Sequence, residues 1–520
     1  MFNQWIMLSE NLQRKDLSEV EKADVLKEIY VTSQRSGREM AAKLGLTLSY
    51  LQSLLSLAGY PTEVKQMIKT EEITAYQSRP LAQLQTPQEQ IKVAEHIKSK
   101  GGGLVLIKVI DSIMGSGKSS YIRKMMNDNP DRKFIYVTPY LEEVANVIQN
   151  CDNFAEPDTI TEDGEKCLKQ ESFHELLLQG KNVASTHQLF KLSTSYTISL
   201  LKQQNYTLII DEVMEVVDCQ QIKPSDLQMA ISGEYCKVDD DGRLIWNDEK
   251  PYNGDWAKKL RTLCKNKSIY LVNDTALIWM FPPRIFNYFE EIYVLTYLFD
   301  SQVMRFYFDI NGISYKKYRI INKPNFEIVE HNGKPDDTEA LSKLIDICTK
   351  GRINDIGSNV DKQSTKRKTP YFLLSSGWYD EANETDIKNL KNNLDNFFRH
   401  YCNGQEVRLN LWTTFKDYEG KLKGRRYPEF LAHNARAMNK YNHVTAVAYL
   451  INKFMYRTVG EFLKSKQVKI TKKIEEEYAL GEMLQFIFRS AIREGQPIKL
   501  YIPSSRMRHI LQKWLGISKD

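Results

Sequence analysis

Residues 111–120 read DSIMGSGKSS and follow directly on the apolar run LVLIKVI, 104–110. Such a run suits a buried strand, and glycines, serines and a lysine behind it have the composition of a phosphate cradle. Gly115 and Gly117 permit backbone turns that a Cβ would obstruct, so successive N–H groups can point at one anion. The spacing from Ser112 to Ser119 is that of a P-loop, with Ser112 standing where glycine or alanine is usual. In that frame Ser112, Met114, Gly115, Ser116, Gly117, Lys118, Ser119 and Ser120 surround the phosphates. Lys118 reaches the β- and γ-phosphates, Ser119 ligates Mg²⁺, and the helix starting there turns its positive end to the anion. The ligand this implies is ATP or GTP with Mg²⁺.

A second stretch fits the first. YTLIIDEVMEV, 206–216, is an apolar strand that ends in Asp211-Glu212. Ligand residues of an open α/β sheet stand at the carboxyl ends of its strands. Asp211 can complete the magnesium shell there, and Glu212 can orient and deprotonate a water. An acidic helix cap after a strand would look the same in isolation. About 90 residues behind a P-loop, the pair reads as the second half of a hydrolytic site.

The rest of the chain divides around these elements. Residues 1–99 carry Leu and Ala at helical spacing, and Gly101-Gly102-Gly103 ends that texture. Strand candidates 104–110, 134–138, 182–185, 207–211 and 293–296 alternate with helical stretches, the pattern of a parallel sheet with crossover helices. A polar, basic segment, 356–369, reads as a linker. Beyond it a second series begins, with candidates 371–375, 407–412, 443–449 and 498–502. The expected fold class is α/β: two tandem parallel-sheet domains, 100–355 and 370–520, preceded by an all-α domain, 1–99. Residues 222–268, polar and carrying Trp246 and Trp256, read as an insertion in the first sheet domain and receive no role.

Composition narrows the function classes. The chain has 520 residues, 42% hydrophobic and 27% charged, as in ordinary globular proteins. No apolar run approaches the ~20 residues of a membrane span, so a cytoplasmic location is expected. Seven cysteines occur without a CxxC pair, against a zinc knuckle or disulfide framework. The net charge is only +6, but residues 461–520 hold 12 Lys/Arg against 7 Asp/Glu, an end that could face phosphates or simply water.

Further short elements follow in a telling order. FIYVTPYLEEV closes a strand with Thr138, VASTHQLF carries Ser185, Thr186 and His187, and VLTYLF carries Thr296. Each hydroxyl could equally cap a helix. In EMLQFIFRSAIR, Gln485, Arg489 and Arg493 recur every four residues and would share one helix face. Taken in order, these stretches resemble superfamily 2 helicases, with two RecA-like lobes. MGSGKS together with DEVM looks especially like the origin-binding helicases of herpesviruses and related initiators of phages and mobile elements. The resemblance covers roughly residues 104–515. It implies that Thr138, Ser185, Thr186 and His187 touch a nucleic-acid strand, that Gln485 and Arg489 belong to the sixth helicase motif, and that Arg489 is an arginine finger, with Arg493 in reserve. HNARAMNKYNHVTAVAYLINKF resembles the fifth motif, with Asn434, Arg436 and Asn439 at its polar positions and Ala437 where glycine is usual.

The N-terminal stretch SGREMAAKLGLTLSYLQSLLSLAG fits a helix-turn-helix: Ala41 is small where helices cross, Gly45 turns the chain, and Met40, Leu44, Leu46, Leu51 and Leu54 fill the core. With its flanks it resembles the central DNA-binding domain of ParB/KorB-type partition proteins over residues 8–99. Ser49, Tyr50, Gln52 and Ser53 would then face bases. Residues 44–59 contain no Lys or Arg, and DNA affinity draws heavily on phosphate neutralisation, so docking of a protein stays open. Two functions follow as expectations: an ATP-driven DNA helicase or translocase in phage or mobile-element replication initiation, with replication proteins as further partners, or an ATP-dependent partition or regulatory switch that binds DNA without translocating.

Overall fold

The computed structural model describes residues 18–517, apart from 34–35, 45–47, 71, 74–77, 79–80, 83, 85, 100–105, 161–165, 221, 240, 251–253, 266–267, 275, 322–323, 334–335, 350–351, 357–369 and 434–438. The N-terminal unit is helical: α1 (Glu19–Ser33), α2 (Gly37–Leu44), α3 (Leu48–Ala58), α4 (Thr62–Lys69) and α5 (Pro87–Ser99). Three of these helices start at a Ser/Thr-x-x-Glu box. Ser18 with Glu21, Ser36 with Glu39 and Thr86 with Glu89 exchange side-chain and backbone hydrogen bonds that satisfy otherwise orphaned N–H groups. Met40, Ala41, Leu44, Leu51 and Leu54 are buried together, as a helix-turn-helix core requires.

The first sheet contains β1 (Leu106–Asp111), β2 (Lys133–Thr138), β3 (Phe154–Ala155), β4 (Asn182–Thr186) and β5 (Tyr206–Asp211). Further strands intervene before it resumes, among them β6 (Val217–Gln220), β7 (Cys236–Val238), β8 (Leu244–Trp246) and β9 (Ile269–Val272). After β10 (Ala276–Met280), the strands β11 (Glu291–Thr296), β12 (Tyr315–Ile321) and β13 (Glu327–Glu330) complete it. The sheet order is β13-β12-β1-β11-β5-β2-β4-β3, parallel except for the β12–β13 edge. One strand, β11, therefore separates the P-loop strand from the Asp-Glu strand, and both end on the same edge. Their side chains are buried on both faces, as parallel strands with helices on either side must be.

The second sheet is wholly parallel: β14 (Ile345–Ile347), β15 (Asn410–Thr413), β16 (Glu429–Phe430), β17 (Ala446–Tyr449) and β18 (Ile498–Tyr501), in the order β14-β18-β17-β15-β16. Here the expected boundary is corrected. Because β14 pairs with β18, the second lobe begins before residue 345, and Ile356 is buried inside it rather than opening a linker between lobes. The expected strand at 371–375 is a 3₁₀ turn (Pro370–Phe372) followed by a helix, with Ser375 Oγ accepting the Trp378 N–H.

The region without an assigned role has a definite one in the fold. Strands β6, β10 and β9 form a separate antiparallel sheet, with 222–268 folded beside it. On this sheet lies a helix from the second lobe (Arg457–Ser465), whose Val459, Phe462 and Leu463 belong to the first lobe's core. Phe462 packs 5.4 Å from the Tyr270 ring, Asn273 Nδ2 donates to Glu461 Oε2 at 2.8 Å, and Lys466 Nζ donates to the Asp241 carbonyl at 2.6 Å. The lobes are thus tied by buried apolar surface as well as by the chain. Phe462→Ala should cost about 3–5 kcal/mol in urea unfolding, and a cost below about 1 kcal/mol would show that the helix is not seated in that core.

Candidate nucleotide site at the lobe interface

The loop between β1 and the following helix (Lys118–Asn127) folds as its glycines allow. Gly115 has φ +76° and Gly117 φ +98°, conformations that a side chain would strain. Lys118 is half-buried, and its Nζ turns back onto the Ser112 and Ile113 carbonyls, the latter at 3.1 Å. Burial pushes this ammonium down to about 8, against the pull of Asp111, Asp211, Glu212 and Asp336. Ser116 Oγ and Thr296 Oγ1 are shielded from solvent with no hydrogen-bond partner among the described residues. A half-buried lysine folded on its own loop and orphaned hydroxyls beside it suit a phosphate group that would recruit them.

A cleft of about 350 Å³ opens over this loop, and both lobes line it. The first lobe contributes Met114, Gly115, Gly117, Lys118, Ser119 and Ser120, together with Asp211 and Glu212. The second contributes Gln485, Arg489 and Arg493. Arg489 is only 6% exposed. A Cβ placed on Gly115 would lie 3.8 Å from Arg493 Cγ, so this arginine stands directly against the P-loop. The expected single helix face is not how they meet. The helix Lys472–Ile487 ends two residues before Arg489, and Arg493 lies on a 3₁₀ turn, Ala491–Glu494. Ser490 Oγ donates back to the Ile487 carbonyl at 2.7 Å and Arg489 N to Phe486 O at 3.2 Å, closing the helix in a tight turn that carries both guanidinium groups into the cleft.

The carboxylates hold contrasting positions. Asp211, at the end of β5, accepts from Tyr136 Oη at 2.6 Å. Burial pushes its carboxyl up to about 7; Glu143 and Glu212 add to the shift, while the Tyr136 hydroxyl and Lys118 oppose it. Glu212 has φ +62°, a left-handed backbone at a non-glycine residue. Such strain persists where the surroundings impose it, commonly at functional sites. No group of three or more His, Cys, Asp or Glu able to hold a metal occurs among the described residues. A Mg²⁺ ion between Ser119 and Asp211 would take its remaining ligands from phosphate oxygens and water, as that ion prefers.

Other expected residues fall elsewhere. Ser112 lies outside the cleft lining, its hydroxyl accepting from Ile320 N at 2.9 Å. Thr138 lines the nucleotide cleft itself. Ser185 is buried, and Thr186 Oγ1 caps the next helix by accepting from Leu189 N at 3.3 Å, so neither hydroxyl is presented to a strand. His187 lines a second interlobe cleft of about 370 Å³, with Tyr140, Lys191, Tyr456 and Tyr478. Asn434 and Arg436 lie outside the described residues, as do the side chains of Asn439, Ser49, Tyr50 and Ser53; Gln52 is exposed on α3. Sequence reading passed over Arg123, Glu143 and Phe326. Arg123 lies on the P-loop helix five residues beyond Lys118 and pairs with Glu143 at 3.4 Å. The Phe326 ring packs so closely on Gly117 that a Cβ there would lie 2.1 Å from it.

Comparisons with known proteins divide the chain similarly. The family model for the ParB HTH domain matches residues 15–103, that for the YonV middle domain 217–279, and that for the YonV C-terminal Rossmann-like domain 339–515. The SPbeta prophage-derived uncharacterized protein YonV of Bacillus subtilis (strain 168) is 40% identical over 422 residues, spanning 79% of this chain and 98% of that protein. A nucleoid occlusion protein of Bacillus pumilus (strain SAFR-032) is 32% identical over 95 residues, 18% of this chain and 33% of that one. Among solved structures, XPD_APO is 12% identical with a TM-score of 0.42, covering 81% of this chain and 97% of its own. The structure of S. tokodaii Xpd4 is 13% identical with a TM-score of 0.41, covering 85% and 98%. No helix among the described residues is long and apolar enough to cross a membrane.

The raised Asp211 carboxyl carries a stability consequence. The folded state holds this proton up to about pH 7, whereas an unfolded carboxyl releases it near 3.8. Stability therefore falls as pH rises across that window, and the penalty is complete above it. Without nucleotide, Asp211→Asn should melt above the parent chain at pH 8, with the gap closing toward pH 5. A gap independent of pH, measured by thermal unfolding, would contradict the burial of an ionised carboxylate here.

Proposed function

The chain belongs to the YonV family, and on the interlobe geometry and the ParB HTH match we propose that it is an ATP-driven DNA motor, a helicase or translocase with a DNA-binding helix-turn-helix at its N-terminus. The observation that carries this reading is the presence of Arg489 and Gln485 from one lobe in the cleft of Lys118, Asp211 and Glu212 from the other. A hydrolytic site completed across an interface makes turnover depend on how the lobes sit, and motion of the lobes depend on turnover.

Bound with Mg²⁺, ATP supplies the phosphoanhydride whose hydrolysis releases free energy. Lys118, which now donates to the Ser112 and Ile113 carbonyls, would turn to the phosphate oxygens and exchange neutral acceptors for charged ones. Ser119 and Asp211 would hold the metal. Glu212, set by its strained backbone, accepts the proton of the attacking water. Arg489 neutralises charge developing on the transferred phosphoryl group, a role worth 10³–10⁵ in rate, while Gln485 and Arg493 hold the surrounding cleft.

The second interlobe cleft supports a strand path. Tyr140, Tyr456 and Tyr478 offer rings for base stacking, and Tyr456 is 73% exposed. Pro139 and Tyr140 line both clefts, which gives hydrolysis a direct mechanical neighbour in the strand path. A phage replication setting agrees with the prophage origin of the B. subtilis relative. The seat of the Arg457–Ser465 helix in the first lobe's core favours a second reading, a DNA-bound ATP switch with limited lobe motion.

Lys118→Ala and Glu212→Gln should each abolish ATP turnover, whereas Arg489→Ala should lose at least about 10³-fold in turnover while binding ATP nearly as tightly as the parent. Turnover persisting in Glu212→Gln would remove that residue as the base. Single-stranded DNA should raise the parent's ATPase rate and duplex unwinding should accompany it; a rate indifferent to DNA would favour the switch.

A further inference from the structure

The loop proposed to cradle phosphates is covered by one of the protein's own side chains. A Cβ built on Gly117 would fall within 2.9 Å of three carbons of the Phe326 ring, so the ring fills the space over that glycine. Phe326 is partly exposed and lines the nucleotide cleft together with Gly117, Lys118 and Ser119. This end of the P-loop helix has hydrogen bonds to give. Among the described residues, Tyr121 N–H is the first in the helix with a backbone acceptor, the Gly117 carbonyl at 2.9 Å, and the N–H groups of Lys118, Ser119 and Ser120 have none. Phosphate oxygens must come within about 3 Å of such groups to accept from them. A ring lying on Gly117 stands in their way. Lys118 agrees with a closed cradle, since its Nζ rests on the Ser112 and Ile113 carbonyls.

Phe326 is held there under strain. Its φ is +48°, a left-handed backbone that a bulky residue adopts only where its surroundings impose it. It directly precedes β13, an edge strand of four residues that pairs with β12 alone and is mostly exposed. Few contacts oppose a shift of such a strand, and the shift would let Phe326 relax to extended backbone. Beyond β13 the chain runs toward the second lobe, where Thr338 Oγ1 donates to the Trp514 carbonyl at 3.1 Å. A movement of that lobe therefore reaches the strand that carries the ring.

We propose that the Phe326 ring is an autoinhibitory plug of the phosphate cradle, which must swing off Gly117 before a nucleotide seats. The proposal rests on the nucleotide reading of the cleft and adds to it a control on entry. A platform for the nucleobase would stand away from the loop by the ribose and the first phosphate, whereas this ring lies on the loop itself.

The test uses the full chain with Mg²⁺ and two ligands, ATP and inorganic tripolyphosphate, which has no base. Phe326→Gly and Phe326→Asn remove the ring and tolerate a φ of +48°, so their melting temperatures should stay close to the parent's; Phe326→Tyr keeps the ring. Affinity is measured by titration calorimetry, and entry by stopped flow with a fluorescent ATP analogue. A plug closed in most molecules lowers apparent affinity by the open fraction. The two ringless variants should therefore bind both ligands at least about tenfold more tightly, the gain lying in the association rate, and Phe326→Tyr should match the parent. Weaker ATP binding with unchanged tripolyphosphate binding would make the ring a base platform and overturn the plug. Affinities and rates equal to the parent's would overturn it too, while leaving the nucleotide reading intact. Failure of every form to bind either ligand would remove that reading and the plug with it.

Discussion

Lys118 lies half-buried at the mouth of the interlobe cleft, within the electrostatic reach of four carboxylates, and that arrangement constrains what surrounds it. Asp111, Asp211, Glu212 and Asp336 all pull on its charge, yet burial still drives the ammonium toward neutrality, while Asp211 is driven toward protonation. Neither group rests in its preferred state. In the proposed reading a triphosphate with its metal would relieve both at once, adding anionic charge beside the lysine and a cation beside the aspartate. The arginines from the second lobe then meet the charge that the lysine leaves unbalanced. Pre-organised charges in a dry cleft cost stability when the ligand is absent and act strongly when it is present, which is why the cleft needs two sheets behind it to hold its shape.

Lobe movement, which the proposed motor requires, would be constrained by the way the lobes are joined. The Arg457–Ser465 helix is covalently part of the second lobe and energetically part of the first, since its apolar face fills the core beside β6, β9 and β10. The C-terminal helix adds a second tie, with Trp514 Nε1 donating to Tyr297 Oη at 3.0 Å. Motion that opens the nucleotide cleft must therefore pivot about these seats. Tyr140, with one side toward each interlobe cleft, stands where such a pivot would be felt.

The cradle and the Asp-Glu strand were legible because their chemistry is local: glycines, lysine and serine at fixed spacing, then two acids at the end of an apolar run. The arginines were legible as residues but not as geometry. A four-residue interval suggests one helix face, and only the hydrogen bonds of Ser490 and Arg489 back onto the preceding turn show the helix closing early. Thr186 shows the opposite failure, since a hydroxyl at a strand end serves equally as a cap, and the sequence around it does not distinguish the two uses. The lobe boundary escaped because β14 is three residues long, and its pairing with β18 lies about 150 residues away. Nor does an amphipathic helix such as Arg457–Ser465 state in its own sequence which core it enters. Phe326 over Gly117 is likewise a long-range contact with no local signal.

The dependence of the site on both lobes is best tested by affinity for a transition-state mimic. ADP with aluminium fluoride presents the charge of the transferring phosphoryl group, and ADP alone does not. If Arg489 serves that charge, Arg489→Ala should bind the mimic about 10³-fold more weakly than the parent does and ADP about equally. Equal affinities of parent and variant for the mimic would contradict a cation shared across the interface.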